Sequence, residues 1–278
     1  MTTVGIATGA GRGMGRACAA RLAGMVDRLL LVDVDEAAVV AGAEELYGSE
    51  RRAGIEPFVL DVTDRARLDE LAERVRALGT LRAVAHAAGI SPTMADWERI
   101  FTVDLVGTAL LADALRPLVT KGTAMVCFAS MAARFLGHDP GPAADTVLDD
   151  PLGEHLLDRL HDTLGSVIED SGMAYAWAKR GVQRFVQQEA SRVGPLGGRV
   201  CSVSPGIIDT PQGRQEAESQ PFMAELRRRT PLGRLGQADE LAAVVAFLLS
   251  DEASFLTGVD VLVDGGVCAA MLGSGQDS

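Results

Sequence analysis

Seven short apolar runs alternate with longer amphipathic stretches along the whole chain, and this rhythm constrains the fold more than any other feature. The runs, at 4–8, 29–33, 57–60, 83–87, 124–129, 199–204 and 261–263, are rich in Val, Leu and Ala. Between them the spacing predicts helices at 13–24, 36–47, 64–78, 95–118, 173–193 and 237–250. Strands apolar on both faces and separated by helices make a parallel sheet covered on each side. The expected fold is therefore α/β, a doubly wound parallel sheet in a single Rossmann-type domain over 1–278. No Pro/Gly/Ser-rich linker divides the 278 residues, a length that one large α/β domain accommodates.

Charge and cysteines narrow the partners. Lys and Arg total 26 against 38 Asp and Glu, a formal charge of −12. An acidic surface repels phosphate backbones, which argues against nucleic acid. The apolar runs fall well short of the ~20 residues that span a bilayer, so no membrane partner is expected. Cys18, Cys127, Cys201 and Cys268 form no CxxC pair. They read as free thiols in a reducing, cytoplasmic setting.

The first strand runs directly into Thr8-Gly9-Ala10-Gly11-Arg12-Gly13-Met14-Gly15 and then a helix. Glycines there allow a tight turn, close approach of backbone to a pyrophosphate and close helix–strand packing. The helix N-terminus offers free N–H groups to the phosphates. Asp33 ends the second strand, where a carboxylate accepts ribose hydroxyls and repels a 2′-phosphate, so NAD is expected over NADP. Arg12 and Arg16 could each reach a phosphate, and otherwise are surface arginines. Asp61 and Val62 close the third strand, either reading an adenine amino group or capping the next helix.

Tyr175 and Lys179 stand four apart on a predicted helix, on one face, in a chain with only two Tyr and two Lys. A phenol with a pKa of ~10 is a poor base at neutral pH. An ammonium about 4 Å away at an effective dielectric near 20 contributes ~4 kcal/mol toward its ionisation. Tyr175 thereby becomes a general base for an alcohol proton, and the acid in reverse.

With Ser130 after the fifth strand, and Pro205-Gly206-Ile207-Ile208-Asp209-Thr210 after the sixth, these motifs resemble the short-chain dehydrogenases/reductases over almost the full chain. The resemblance implies a secondary alcohol/ketone oxidoreductase. It makes Tyr175 the acid/base, Ser130 the group that holds the substrate oxygen, and Lys179 a ligand of the nicotinamide ribose that also acidifies the tyrosine. The cofactor would lie along Gly9, Arg12, Gly13, Met14, Gly15, Asp33, Asp61, Val62, Ala88, Gly89, Tyr175, Lys179, Pro205, Gly206, Ile208 and Thr210. It also implies a homodimer or homotetramer paired through the helices near 95–118 and 173–193, and a mobile substrate lid at 211–230.

Two positions depart from the family pattern. Its Asn-Ala-Gly is here Ala87-Ala88-Gly89, which removes an amide that braces the central strands. Its catalytic Asn is here Asp104, and the chain contains no Asn at all. Asp104 can still offer the backbone carbonyl through which much of that residue acts.

Between Ser130 and Tyr175 lie many more residues than in typical members, and 135–171 carries nine acids against Arg159 alone. Leucines at 148, 152, 156, 160 and 164 predict one amphipathic helix, which would roof a bulky substrate or meet a partner subunit. The insertion resembles that of the hydroxysteroid dehydrogenase/carbonyl reductase branch, implying an apolar, steroid- or terpenoid-like substrate. His138, His155 and His161 lie in it, but their spacing matches no usual metal-ligand set. The rival functions are an NADPH-dependent 3-oxoacyl reductase, which Asp33 and the acidic surface oppose, and a non-catalytic dinucleotide-binding protein.

Overall fold

The structure is a computed structural model that describes residues 1–47, 54–136, 142–211, 213–214 and 221–273. His138, and residues 212 and 215–220 of the expected lid, lie outside the described residues.

Seven strands form one parallel sheet in the order β3-β2-β1-β4-β5-β6-β9. They are β1 (Thr3–Thr8), β2 (Arg28–Asp33), β3 (Gly54–Val59), β4 (Thr80–His86), β5 (Ala124–Phe128), β6 (Arg199–Pro205) and β9 (Asp260–Val263). The two-residue strands β7 (Ile208–Asp209) and β8 (Gly236–Gln237) pair separately. Four consecutive residues of β2, Leu29 to Val32, are buried, as expected of a strand covered on both faces. β3 begins three residues before its expected start, which puts Pro57 inside it. As an edge strand it tolerates a residue lacking the ladder N–H.

One face is covered by α1 (Gly13–Leu22), α2 (Glu36–Tyr47) and the helix Ala238–Leu249, packed through Cys18, Leu22, Val39, Leu241 and Val245. The other carries α3 (Arg65–Leu78), α5 (Gly107–Leu115) and α8 (Ser171–Val193), with Leu68, Leu71, Leu111 and Phe185 buried against it. The chain order reverses direction across β1 and β4, and such switch points open a crevice at the carboxyl ends of the strands.

Two helical expectations are corrected. The stretch 95–118 is not one helix: α4 (Trp97–Phe101) passes through a π-helical turn, Thr102–Val106, before α5 begins. The acidic segment forms two short helices, α6 (Pro142–Leu148) and α7 (Leu156–Leu164), with Pro151, Gly153 and a left-handed His155 (φ 53°) between them. Leu148, Leu156 and Leu160 are buried while Leu152 faces outward. Arg180 and Arg184 of α8 hold α6 through Asp145 (2.9 Å each), and Arg184 also binds Asp149 (2.6 Å). Trp97 of α4 packs against His161 of α7. The segment therefore lies on its own chain, over α4 and α8.

Candidate active site

The glycine loop lies at the switch point. Gly9 takes a left-handed conformation (φ 62°), and a Cβ there would come within 2.9 Å of the Ala87 carbonyl group. At Gly15 a Cβ would run into the Gly9 carbonyl. The loop is tied to β2 by Asp33, whose Oδ2 accepts from Gly11 N–H (2.8 Å) and whose Oδ1 accepts from Asp35 N–H (3.0 Å). Arg16 donates to the carbonyls of Ala10, Gly11 and Ala38 and braces the loop from behind. Arg12 instead lines the cavity in front of it.

That cavity, about 180 Å³, is lined by the predicted Gly9, Arg12, Gly13, Met14, Gly15, Asp33, Asp61, Val62, Ala88 and Gly89, and by Thr210. Asp64, not Asp61, caps α3 (3.2 Å to Arg67 N–H), so the capping alternative for Asp61 is set aside. Asp61 faces the cavity with Oδ1 held by the Thr63 N–H and hydroxyl and Oδ2 by Arg99 (2.8 Å). Burial raises its pKa, but those hydrogen bonds and the Arg99 charge outweigh burial and hold it below the usual value. Arg99 also lines this cavity, a placement that no motif or spacing signals.

A second cavity of about 370 Å³ adjoins the first and shares Met14, Ala87, Gly89, Ile90 and Thr210 with it. Ser130, Tyr175, Lys179, Pro205, Gly206 and Ile208 line it. Its other walls are mainly apolar, including Met131, Phe135, Leu136, Met173 and Leu226. Leu226 comes from the helix Pro221–Arg229, part of the expected lid. Neither α6 nor α7 contributes to this wall, so neither roofs the cavity.

Asp170 caps α8 (2.9 Å to Met173 N–H), and the helix presents Tyr175 and Lys179 on one face. Lys179 Nζ lies 5.4 Å from the Tyr175 ring centroid and donates to the Phe128 carbonyl (3.1 Å). Ser130 Oγ accepts from Ala132 N–H (3.1 Å).

Asp104 lies in the π-helical turn, fully buried beneath Gly89. Its Oδ1 accepts from Ile90 N–H (2.8 Å). Its Oδ2 faces Lys179 Nζ at 3.3 Å as an ion pair and has no well-formed hydrogen bond among the described residues. Burial raises the carboxyl pKa, against the opposing pull of Lys179 and of the Ile90 N–H.

One residue of this region escaped the sequence reading. His86, at the end of β4, is buried between Thr8 Oγ1 (2.8 Å) and Thr108 Oγ1 (3.0 Å). The one available sign was a polar residue inside the otherwise apolar run 83–87.

A family model described as enoyl-(acyl carrier protein) reductase matches residues 9–143 and 162–268, leaving 144–161 unmatched. The chain is 32% identical to the short-chain dehydrogenase/reductase bsc3 of Alternaria brassicicola over 217 residues, 76% of this chain and 77% of that protein. It is 30% identical to the cis-4-hydroxycyclohexanecarboxylate dehydrogenase of Sinomonas cyclohexanicum over 279 residues, 96% of each. The crystal structure of levodione reductase superposes with a TM-score of 0.75 at 27% identity, covering 97% of this chain and 98% of that one. The chain belongs to the short-chain dehydrogenase/reductase family. It is an oxidoreductase of alcohol and ketone groups in small molecules, in a family that uses nicotinamide dinucleotides. Among the described residues no helix is long and apolar enough to cross a membrane.

Proposed function

We propose that the chain is an NAD-dependent dehydrogenase/reductase interconverting a secondary alcohol and a ketone on an apolar carbocyclic substrate, steroid- or terpenoid-like in character. The observation that carries this reading is the convergence of Ser130, Tyr175 and Lys179 on a mainly apolar cavity that opens into the glycine-loop cavity. The relative named for a hydroxylated cyclohexane carboxylate supports a ring alcohol.

The loop fits a dinucleotide: Gly9 and Gly15 permit close backbone approaches that any side chain would block, and the N-terminus of α1 faces the cavity. Asp33 has lone pairs left for two ribose hydroxyls and would repel a 2′-phosphate, which supports NAD over NADP. Asp61 and Val62 would bound the adenine, with Arg99 against Asp61. Pro205, Gly206, Ile208 and Thr210 would hold the nicotinamide end.

In the reaction Ser130 Oγ holds the substrate oxygen, while the Tyr175 hydroxyl takes the alcohol proton or returns it to the ketone. Lys179, anchored by the Phe128 carbonyl and Asp104, sets its ammonium beside the phenol and favours the phenolate. The bound nicotinamide supplies the hydride chemistry. Apolar walls and Leu226 exclude water.

A reducing compartment such as the cytoplasm suits four buried free cysteines. A homodimer or homotetramer is proposed with this reading. Because α6 and α7 lie over α4 and α8, the surface best suited to pairing is the one that carries the exposed Phe255, Leu256 and Val259 leading into β9.

A second reading, a dinucleotide-binding protein without turnover, is favoured only by Asp104, whose carboxylate neutralises part of the charge Lys179 would bring to Tyr175. Titration with NADH and NADPH, followed by turnover of cyclic secondary alcohols with NAD and NADP, tests both readings. Preference for NADH with turnover supports the dehydrogenase. Tight NADH binding with no turnover of any alcohol or matching ketone supports the second reading.

A further inference from the structure

The hydrogens around His86 leave one arrangement. A neutral imidazole has one donor and one acceptor, and a hydroxyl has one proton. The Thr108 hydroxyl gives its proton to the Asp104 carbonyl (2.7 Å), so its oxygen accepts from His86 Nε2–H. Nδ1 is then the acceptor and takes the Thr8 hydroxyl proton, and Thr8 Oγ1 in turn accepts from Ala88 N–H (3.1 Å). The chain runs from Ala88 N–H through Thr8, His86 and Thr108 to the Asp104 carbonyl, with every donor matched to an acceptor. The charged group bearing on the ring is Lys179, since Thr108 links the ring only to the backbone carbonyl of Asp104. Burial and then the Lys179 charge hold its pKa down, to about 3, so the ring stays neutral.

Both ends of this chain are parts of the site. Thr8 opens the glycine loop and lies opposite His86 in the β1–β4 register. Ala88 lines the first cavity and Gly89 lines both. Asp104 sits in the π-helical turn against Lys179. A space-filling core histidine needs no such termini. The geometry points to His86 as a positioning residue that locks the glycine loop to the Asp104–Lys179 pair, keeping the two halves of the cleft at one spacing. In doing so it takes over, from the neighbouring position, the bracing that Ala87 cannot supply. This inference rests on the proposed assignment of the two cavities.

The test compares Thr108→Val, which keeps volume and removes the hydroxyl, with Thr108→Ser, which keeps the hydroxyl. Thr108→Val should lower kcat by about tenfold, since small misplacements of reacting groups are costly. Its KM values for NAD and alcohol should stay within about twofold, and Thr108→Ser should stay near wild type. Wild-type kcat in Thr108→Val, or equal losses in both variants, overturns the proposal. Nitrogen NMR of the wild-type imidazole needs neither turnover nor a variant. It should show Nε2 protonated and no titration between pH 5 and 8. A proton on Nδ1, or titration in that window, overturns the proposal even if the chain proves to be a functional dehydrogenase. If the wild type turns over no alcohol, the functional reading fails separately. Amide exchange then decides the inference: Ala88 and Ile90 should exchange at least about tenfold faster in Thr108→Val and not in Thr108→Ser. Unchanged exchange overturns it.

Discussion

Asp104 and His86 show how burial decides the character of a side chain in this site. Asp104 is fully buried, and its carboxyl sits above the usual range because the loss of water outweighs Lys179 and the Ile90 N–H. A carboxyl raised on folding contributes stability that is complete below its ordinary value near 4 and is lost as pH rises through the folded value. Asp104→Asn removes that loss. Urea unfolding at pH 4, 6 and 8 should therefore show the wild type falling progressively behind the variant, and parallel profiles would contradict this. His86 has the opposite sign. Its proton is bound in the unfolded chain below ~6.5 but in the folded chain only near pH 3. It should therefore cost up to about 1.4 kcal/mol per pH unit as pH falls between these values, and His86→Gln should flatten that acid limb. Tyr175, Lys179 and the glycines were legible in sequence because their geometry is local, either i to i+4 on a helix or a turn between strand and helix. His86 was not, because its partners Thr8 and Thr108 stand 78 and 22 residues away and meet it only in the folded sheet.

Among the elements, the π-helical turn and the acidic segment account for most of what hydrophobic periodicity could not resolve. One widened turn inside 95–118 hardly disturbs an apolar pattern, yet it is where the Asp104 carboxylate meets Lys179 and Ile90. π-Helical turns inside α-helices are often found at functional sites. In the acidic segment the leucine spacing correctly marked a buried face, with Leu148, Leu156 and Leu160 against the body of the domain. Pro151 and Gly153 between them divide the helix, a break the spacing alone did not weigh. Since α6 and α7 do not line the second cavity, Leu160→Ala should destabilise the fold by about 2–5 kcal/mol while leaving the KM for alcohol within about twofold. Denaturant unfolding with steady-state kinetics checks this, and a changed KM with intact stability would make α6 and α7 part of the substrate site.

Across the whole molecule, the doubly wound parallel class was legible from the alternation of apolar runs and helices. The strand order and the switch between β1 and β4 were not, since they depend on pairings between distant segments. That switch places the glycine loop, the end of β5 with Ser130 and the face of α8 with Tyr175 around one crevice. Assembly belongs to the same scale. The apolar surface around β9 should carry self-association, so Phe255→Glu, at a fully exposed position, should shift size-exclusion elution toward the monomer without lowering stability. An unchanged elution volume would place the interface elsewhere. The central claim is that Tyr175 moves the proton in an NAD-dependent alcohol–ketone reaction within this crevice. Its most direct test is NADH formation from NAD by the wild type and by Tyr175→Phe, over cyclic secondary alcohols including hydroxysteroids and terpenols. The prediction is turnover by the wild type with at least one alcohol, and a rate at least about 100-fold lower in the variant with NADH affinity preserved. Equal rates in the two proteins, or tight NADH binding without turnover of any alcohol or matching ketone, would contradict it.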